Sequence, residues 1–537
     1  RAQRGAEPAE AGCSRNFHQL SGHPGTGGDA DEGEKPNLAF FFLANIMAES
    51  LVGGIIIVGL GPGDGRLLTQ EAWQLLQEAG EVYLRTSRHP AVADLPAHIV
   101  RRSFDHVYDS ADEFAAVYAE IADTVLQLAR RPEGVIYAVP GHPHIAEATV
   151  TAITEGAAAA GLPVRVVAGL SFVEPTLTAL GLDGLNGLQL YDAITVATYN
   201  HPPVNPDAPL LLGQVYNRLL ASELKLALMA IYPDEHPVTL VHAAGTGEEL
   251  LEKIHLYELD RSRHIDHLTT LFVPPLPIPA SLEALAEAVA VLRGPNGCPW
   301  DQEQTPQSLR AGFLEEAAEV LDALDRDDVE NLREELGDVL LHIVMQTQMA
   351  REEELFRLSD VVAGIYAKIK RRHPHVWGDW EAEHSAEVIA NWEVIKAREK
   401  GETGARPASL LDNIPASLPA LARSQKIQQR VRKAGFDWPA LDGVIAKLHE
   451  EIDELAQAGN AVAQNAEMGD LLFAAVNWAR WLGIDAEAAL REANLRFDRR
   501  FRQLEALAAE RGIALDAAPV DIDVLEALWQ EVKEREA

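Results

Sequence analysis

The chain has 537 residues, a formal charge of −36, 47% hydrophobic residues and 24% charged residues. That length exceeds one ordinary core and asks for two to four domains, and the composition is that of a soluble globular protein. The negative field excludes a nucleic-acid polymer or an anionic membrane surface as the main partner.

In chain order, residues 1–50 come first as an extension rich in Gly, Pro and charge, without periodicity, and expected to be disordered. Its apolar run "LAFFFLANIMA" is too short to span a bilayer, and Met47 reads as the true start. Cys13 and Cys298 are the only cysteines. They support neither a disulfide framework nor a cysteine-rich metal site, and they suit a reducing cytoplasm.

Residues 51–275 read as an α/β domain with a largely parallel sheet, because short apolar runs alternate with helical patterns. "GIIIVGLGPGD" is a strand running into a glycine-rich turn, and "LLTQEAWQLLQEAG" is an amphipathic helix. "EVYLRT", "GVIYAVPG", "VRVVAG", "AITVAT", "LALMAIY" and "VTLVHAAG" are expected strands. The turn at Gly59, Gly61, Pro62, Gly63 and Asp64 lets backbone amides approach a ligand closely, but its spacing is not that of a dinucleotide fingerprint. "VPPLPIPA", Val273 to Ala280, reads as a linker.

From Ser281 the pattern is helical, and a break near residues 400–415 divides it into two blocks, 276–400 and 401–537. The blocks form an internal repeat. "EEAAE", "ELGDVL" and "KIKRR" in the first answer to "EEIDE", "EMGDLL" and "RFDRR" in the second. The acid elements lie 16 residues apart from Glu319 to Glu335 and 13 from Glu454 to Glu467, a difference expected to fall in a loop.

Residues three and four apart share a helix face, so Glu316 and Glu319 point one way, and Glu335 and Asp338 do so on the next helix. Antiparallel packing would converge the four carboxylates, which then need a cation; oxygen ligands suit Mg²⁺ or Mn²⁺. Such ions bind phosphate oxygens and activate water, the chemistry of pyrophosphate-bond hydrolysis. Glu451, Glu454, Glu467 and Asp470 repeat the arrangement. Lys368, Lys370, Arg371 and Arg372, and Arg496, Arg499 and Arg500, are candidate phosphate contacts in an otherwise acidic chain. Lys426, Arg430 and Lys433 stand near Phe436 and Trp438, a combination able to hold phosphates and stack a base.

"LRGPNGCPWDQEQTPQSL", "FLEEAAEVLDAL", "LREELGDVLLHIV" and "RRHPHVWGD" resemble the first half of a MazG-type nucleoside triphosphate pyrophosphohydrolase. "SQKIQQRVRKAGFDW", "KLHEEIDEL", "EMGDLLFAAVNWAR" and "ANLRFDRRF" resemble its second half, so the likeness runs over about residues 281–507. The resemblance implies two all-α helical-bundle repeats, a homodimer, and cleavage of nucleoside triphosphates between the α and β phosphates. It also implies that the two acid quartets are the Mg²⁺ ligands, with Glu315 and Glu450 orienting or deprotonating the attacking water. The second repeat is the expected main catalyst, being richer in flanking basic and aromatic residues.

"VGLGPGDGRLLTQEA", "VIYAVPGHPHIAEATV" and "VRVVAGLSFVEPTLTALGL" resemble the S-adenosylmethionine-dependent tetrapyrrole methylases, a two-lobed α/β family. The resemblance implies that Gly59 to Asp64 and the turn Pro140, Gly141, His142 and Pro143 line a cofactor cleft. The family usually has an acid where this chain has His142, and commonly a proline where it has Gly65. Methyl transfer to an undefined acceptor and cofactor binding without turnover therefore both stay open. The joined architecture is similar to that of YabN-type bacterial proteins. A metal-dependent pyrophosphohydrolase with an appended methylase-like domain is the leading reading. The alternative is a methyltransferase whose helical repeats dimerise or regulate.

Overall fold

The computed structural model describes residues 53–108, 114–402, 409–515 and 520–536. The N-terminal extension, Met47 included, lies outside them, as do residues 403–408 of the expected break. The chain divides between Ser281 and Leu282 into two compact units. No helix among the described residues is long and apolar enough to cross a membrane.

The first unit holds two five-stranded sheets. Its N-terminal lobe contains β1 (Ile55–Gly59), α1 (Gln70–Glu78), β2 (Glu81–Leu84), β3 (Val100–Ser103), α2 (Phe114–Leu128), β4 (Val135–Val139), α3 (Ala148–Ala160), β5 (Val164–Val167) and α4 (Val173–Leu180). The strands are all parallel, in the order β3-β2-β4-β1-β5. β1 and β4 read as continuous apolar runs because helices cover both faces, with Ile55, Ile57 and Tyr137 facing one core and Val58, Leu60 and Ala138 the other.

The second lobe carries β6 (Gln189–Asp192), β7 (Leu210–Gly213), α5 (Arg218–Leu228), β8 (Pro237–His242), β9 (Leu250–His255) and β10 (Thr269–Val273). Its order is β6-β7-β10-β8-β9, and only the β6–β7 pair is parallel. Two expected strands are helices. "AITVAT" is helical over Ala193–Ala197, started by Asp192, whose side chain accepts from the Ile194 amide. "LALMAIY" begins inside α5, where Leu220, Ala221, Leu224, Ala227 and Leu228 are buried. That three-and-four spacing starts upstream of the quoted run, so the short window hid the period. The proline-rich linker is tied down: the Leu276 amide donates to Pro206 O at 2.8 Å, and Asp207 accepts from the amides of Ala280 and Ser281 at 2.6 and 3.1 Å.

The second unit is helical: α6 (Leu282–Arg293), α7 (Arg310–Asp325), α8 (Val329–Glu352), α9 (Leu358–Arg372), α10 (Ser385–Glu402), α11 (Ala420–Arg432), α12 (Leu441–Gln457), α13 (Ala461–Trp481), α14 (Ala486–Glu510) and α15 (Ile522–Glu536). α7 pairs with α8 and α12 with α13, while α6 packs on α8 and α11 on α13. Asp328 caps α8 and Asn460 caps α13, each accepting from the first-turn amides. The connections are residues 326–328 and 458–460, equal in length. The unequal acid spacing is therefore not in the loop: α7 runs six residues past Glu319 and α12 three past Glu454. Three residues are nearly one helical turn, so both hairpins keep their acids facing.

Candidate functional site

In the first repeat, Glu316, Glu335 and Asp338 each offer an oxygen within 4.8 Å of the others. Burial pushes the Glu316 carboxyl up, and the charges of Asp338 and Glu319 push it further. Glu335 is raised by burial and then by Glu319 and Glu316. Glu319, and more weakly Glu315, thus join the cluster electrostatically, and both are exposed. Carboxylates that raise one another in this way lower their energy by sharing a cation.

In the second repeat, Glu451, Glu454 and Glu467 converge within the same distance. Glu451 is only 4% exposed, and its Oε2 has no protein partner. Its Oε1 lies 2.8 Å from Lys447 Nζ, which also reaches Glu450 at 2.9 Å. Burial raises the Glu454 carboxyl; Lys447 opposes this, while Glu451 and Glu467 add to it. These acids and Asp470 line a cavity of about 810 Å³ whose other walls include Ile427, Val431, Phe436, Trp438 and Phe473. An acidic patch beside apolar walls suits a ligand with a charged and a flat apolar part.

The basic residues expected from sequence are placed differently. Of the second-repeat candidates, Trp438 lines this cavity, but Lys426, Arg430, Lys433, Arg496, Arg499 and Arg500 do not. Arg499 and Arg500 pair with Glu536 at 3.1 and 2.7 Å, and Arg430 donates to the carbonyls of Leu410 and Asp412. In the first repeat, Arg371 and Arg372 share Glu399 at 2.7 and 2.6 Å, and Lys368 is exposed. Sequence reasoning missed Lys447, Gln428, Asn477 and Arg480, which all line the cavity. Lys447 stands four residues before Glu451, a spacing that could have shown it.

In the first unit, the two glycine-containing turns meet. Gly141 N donates to Gly61 O at 2.7 Å, and Gly61 N to Gly141 O at 3.3 Å. A Cβ on Gly59 would lie 2.6 Å from both Gly141 O and Gly169 N, so only glycine permits this approach. A cleft of about 1040 Å³ opens beside them, lined by Gly63, Asp64, Arg66, Trp73, Thr246 and Glu248 among others. Pro62 and the Pro140–Pro143 turn are not in its lining. The Arg66 side chain, together with its amide, holds the Asp64 carboxyl down at about 2. His142 Nδ1 accepts from the His144 amide at 3.1 Å. Next to this turn, and unforeseen in the sequence, Glu147 is buried with Arg85 at 2.9 Å and Thr149 at 2.6 Å.

Two family models match the chain: Tetrapyrrole (Corrin/Porphyrin) Methylases over residues 54–260, and the MazG nucleotide pyrophosphohydrolase domain over residues 304–377. YabN of Bacillus subtilis (strain 168) is 40% identical over 495 residues, covering 90% of this chain and 99% of that protein. A nucleoside triphosphate pyrophosphohydrolase of Escherichia coli (strain K12) is 49% identical over 261 residues, covering 48% of this chain and 98% of that enzyme. The nucleoside triphosphate pyrophosphohydrolase/pyrophosphatase MazG of Thermotoga maritima is 39% identical over 251 residues, covering 47% of this chain and 95% of that one. With one relative aligned along nearly its whole length, and with an α/β unit preceding a helical unit, the chain belongs to the YabN family, in which a tetrapyrrole-methylase domain and a MazG-type nucleotide pyrophosphohydrolase domain share one polypeptide.

Proposed function

We propose that the helical unit hydrolyses nucleoside triphosphates to the monophosphate and pyrophosphate, mainly in its second repeat, with Mg²⁺ or Mn²⁺ as cofactor. The observation that carries this reading is the buried, half-unpartnered Glu451 carboxylate, converging with Glu454 and Glu467 on the wall of a partly apolar cavity. The donor set is all carboxylate oxygen, which fits a hard divalent ion. When bound, such an ion neutralises phosphate oxygens and polarises water.

Glu451, Glu454, Glu467 and Asp470 would hold the ion, as Glu316, Glu319, Glu335 and Asp338 would in the first repeat. Glu450, or Glu315 in the first repeat, takes a proton from water as its oxygen bonds to the α-phosphorus. The bond from that phosphorus to the bridging oxygen breaks, and pyrophosphate leaves. Lys447, already beside Glu450 and Glu451, places an ammonium where phosphate charge gathers. Trp438 offers a ring for stacking. Arg499 and Arg500 reach phosphate only by leaving Glu536, and Arg371 and Arg372 only by leaving Glu399.

The test is pyrophosphate release from a panel of nucleoside triphosphates with Mg²⁺ and with chelator. E451Q/E454Q should abolish most activity, and E316Q/E319Q should not; the reverse result overturns the choice of repeat. Exposed Leu314, Leu321, Leu324, Leu336 and Leu340 on α7 and α8 support a homodimer, which light scattering would check.

For the first unit, the cleft lined by Gly63 and Asp64 supports S-adenosylmethionine binding there, with Gly59 and Gly61 shaping the turns beside it, while Pro62 and Pro140 to Pro143 lie outside its lining. Titration with S-adenosylhomocysteine tests it. Heat of binding without any methyl acceptor found would favour a cofactor module; chelator-insensitive methyl transfer with no pyrophosphate release would favour the methyltransferase reading. Both substrates are cytoplasmic metabolites, consistent with a cytoplasmic protein.

A further inference from the structure

The second-repeat cavity contains polar groups that the hydrolytic reading leaves unused. Gln428, on α11, is 5% exposed and lines the cavity. Its Nε2 donates to the Phe473 carbonyl at 2.8 Å. A carbonyl only accepts, so this bond fixes the orientation of the carboxamide and leaves Oε1 as an acceptor. That oxygen is buried and has no protein partner. An acceptor left unsatisfied in a folded interior costs stability unless a ligand or water completes it.

One turn beyond Phe473 on α13, Asn477 lines the same cavity. Arg480 donates to its Oδ1 from Nε at 3.0 Å and from a terminal nitrogen at 2.7 Å. Arginine is only a donor, so this amide is oriented too, and its Nδ2 group is left to donate. Arg480 is itself fixed by Asp437 at 2.7 Å, with its side chain 5% exposed. Two residues of the cavity wall therefore carry one preset acceptor and one preset donor.

Their place along α13 matters. Glu467, Asp470, Ala474 and Asn477 follow one face of the helix at three- and four-residue steps, and all four line the cavity. Asn477 lies seven residues beyond Asp470, roughly 10 Å along the axis. A nucleotide whose phosphates meet the acids thus has room for its sugar before its base reaches the carboxamides. The first repeat has no such wall: seven residues beyond Asp338 stands Met345, buried with Val344 of α8 and Val289 of α6.

We infer that Gln428 and Asn477 read the base of the substrate and select those whose Watson–Crick edge pairs an exocyclic amino group with an unprotonated ring nitrogen, adenine and cytosine. Gln428 Oε1 accepts from the exocyclic amino group, and Asn477 Nδ2 donates to the adjacent ring nitrogen. Hypoxanthine, guanine and uracil place a carbonyl oxygen where the amino group stands, opposing two acceptors. This inference rests on the hydrolytic reading of the same cavity.

The experiment compares kcat/KM for pyrophosphate release from ATP and ITP, and from CTP and UTP, by the wild-type full chain and by Q428M and N477A. The wild type should favour ATP over ITP and CTP over UTP by about tenfold or more, the value of one unsatisfied buried hydrogen bond. Q428M should bring both ratios toward one. Equal wild-type rates within each pair, or ratios unchanged in Q428M, overturn the inference while leaving the hydrolytic reading intact. The wild-type comparison decides even where a variant does not fold. Absence of release from every triphosphate overturns both readings together.

Discussion

Asp437→Ala should be among the most damaging single changes near the second-repeat cavity. Asp437 accepts from Arg480 at 2.7 Å, from Trp481 Nε1 at 3.1 Å and from the Trp438 amide at 2.9 Å. The Arg480 side chain is 5% exposed and that of Asp437 14%, so the substitution leaves a buried guanidinium without its counter-charge. Removing one partner of a buried pair costs about 3–5 kcal/mol. Arg480 keeps two bonds to Asn477, which places the expected loss near the lower end, about 3 kcal/mol. Urea unfolding followed by tryptophan fluorescence measures it well, because of nine tryptophans only Trp73 precedes Leu282. The control is Glu330→Ala, whose partner Arg333 pairs with it at the surface, both about four-fifths exposed; its midpoint should not move. If D437A and E330A unfold alike, the Asp437–Arg480 pair does not hold this wall, and the argument for a preset Asn477 falls with it.

Gly59→Ala would force a Cβ within 2.6 Å of two backbone atoms, so a loss of about 1–3 kcal/mol is expected, with weakened S-adenosylhomocysteine binding by calorimetry. His89, buried against the first glycine turn, is pushed down by burial to about 4 from 6.5. A depressed value means stability present above pH 6.5 and lost as pH falls toward 4, up to about 3 kcal/mol in all; H89N should flatten that slope in acid titrations followed by far-UV circular dichroism. Lys447→Met removes the ammonium bound to Glu450 and Glu451. Nucleotide-free Mn²⁺ binding should tighten about tenfold, by some 1.4 kcal/mol, while pyrophosphate release falls; weaker Mn²⁺ binding would show that Lys447 orders the acids rather than competing with the ion.

The legible features were those written locally. The acid quartets could be found because helix periodicity places Glu316 with Glu319 and Glu451 with Glu454, and because the pattern occurs twice. β1 and β4 could be found because strands buried on both faces are continuous apolar runs. What stayed hidden depends on partners distant in sequence. Arg372 meets Glu399 27 residues later, and Arg500 meets Glu536 36 residues later, so their composition suggested free phosphate contacts where the fold makes ion pairs. Gln428 carries no signal in sequence at all: a glutamine in a helix is ordinary until Phe473, 45 residues away, fixes its amide. The second lobe misled for a different reason, since windows of six or seven apolar residues do not separate a strand from the buried face of a helix.

The two repeats keep the features that fold them and differ at positions beside the acid clusters. Both have a capped helix hairpin, a three-residue connection and converging acids. Four residues before the first acid of each quartet, however, the first repeat has Gly312 and the second Lys447. A Cβ on Gly312 would come within 3.1 Å of the His342 ring, and four residues after the last acid the second repeat has Ala474 in that histidine's place. The exchange of glycine and histidine for lysine and alanine moves the bulk from one helix to its neighbour. It leaves the first cluster without the ammonium that the second has, and burial and mutual charge raise Glu316 and Glu335 there. Met345 fills the position that Asn477 leaves open to the cavity. At the matching positions the first hairpin has acids but neither a lysine to neutralise a phosphate nor carboxamides to read a base. This contrast is the physical ground for proposing that catalysis lies mainly in the second repeat, while the first keeps its acids and the exposed apolar face of α7 and α8.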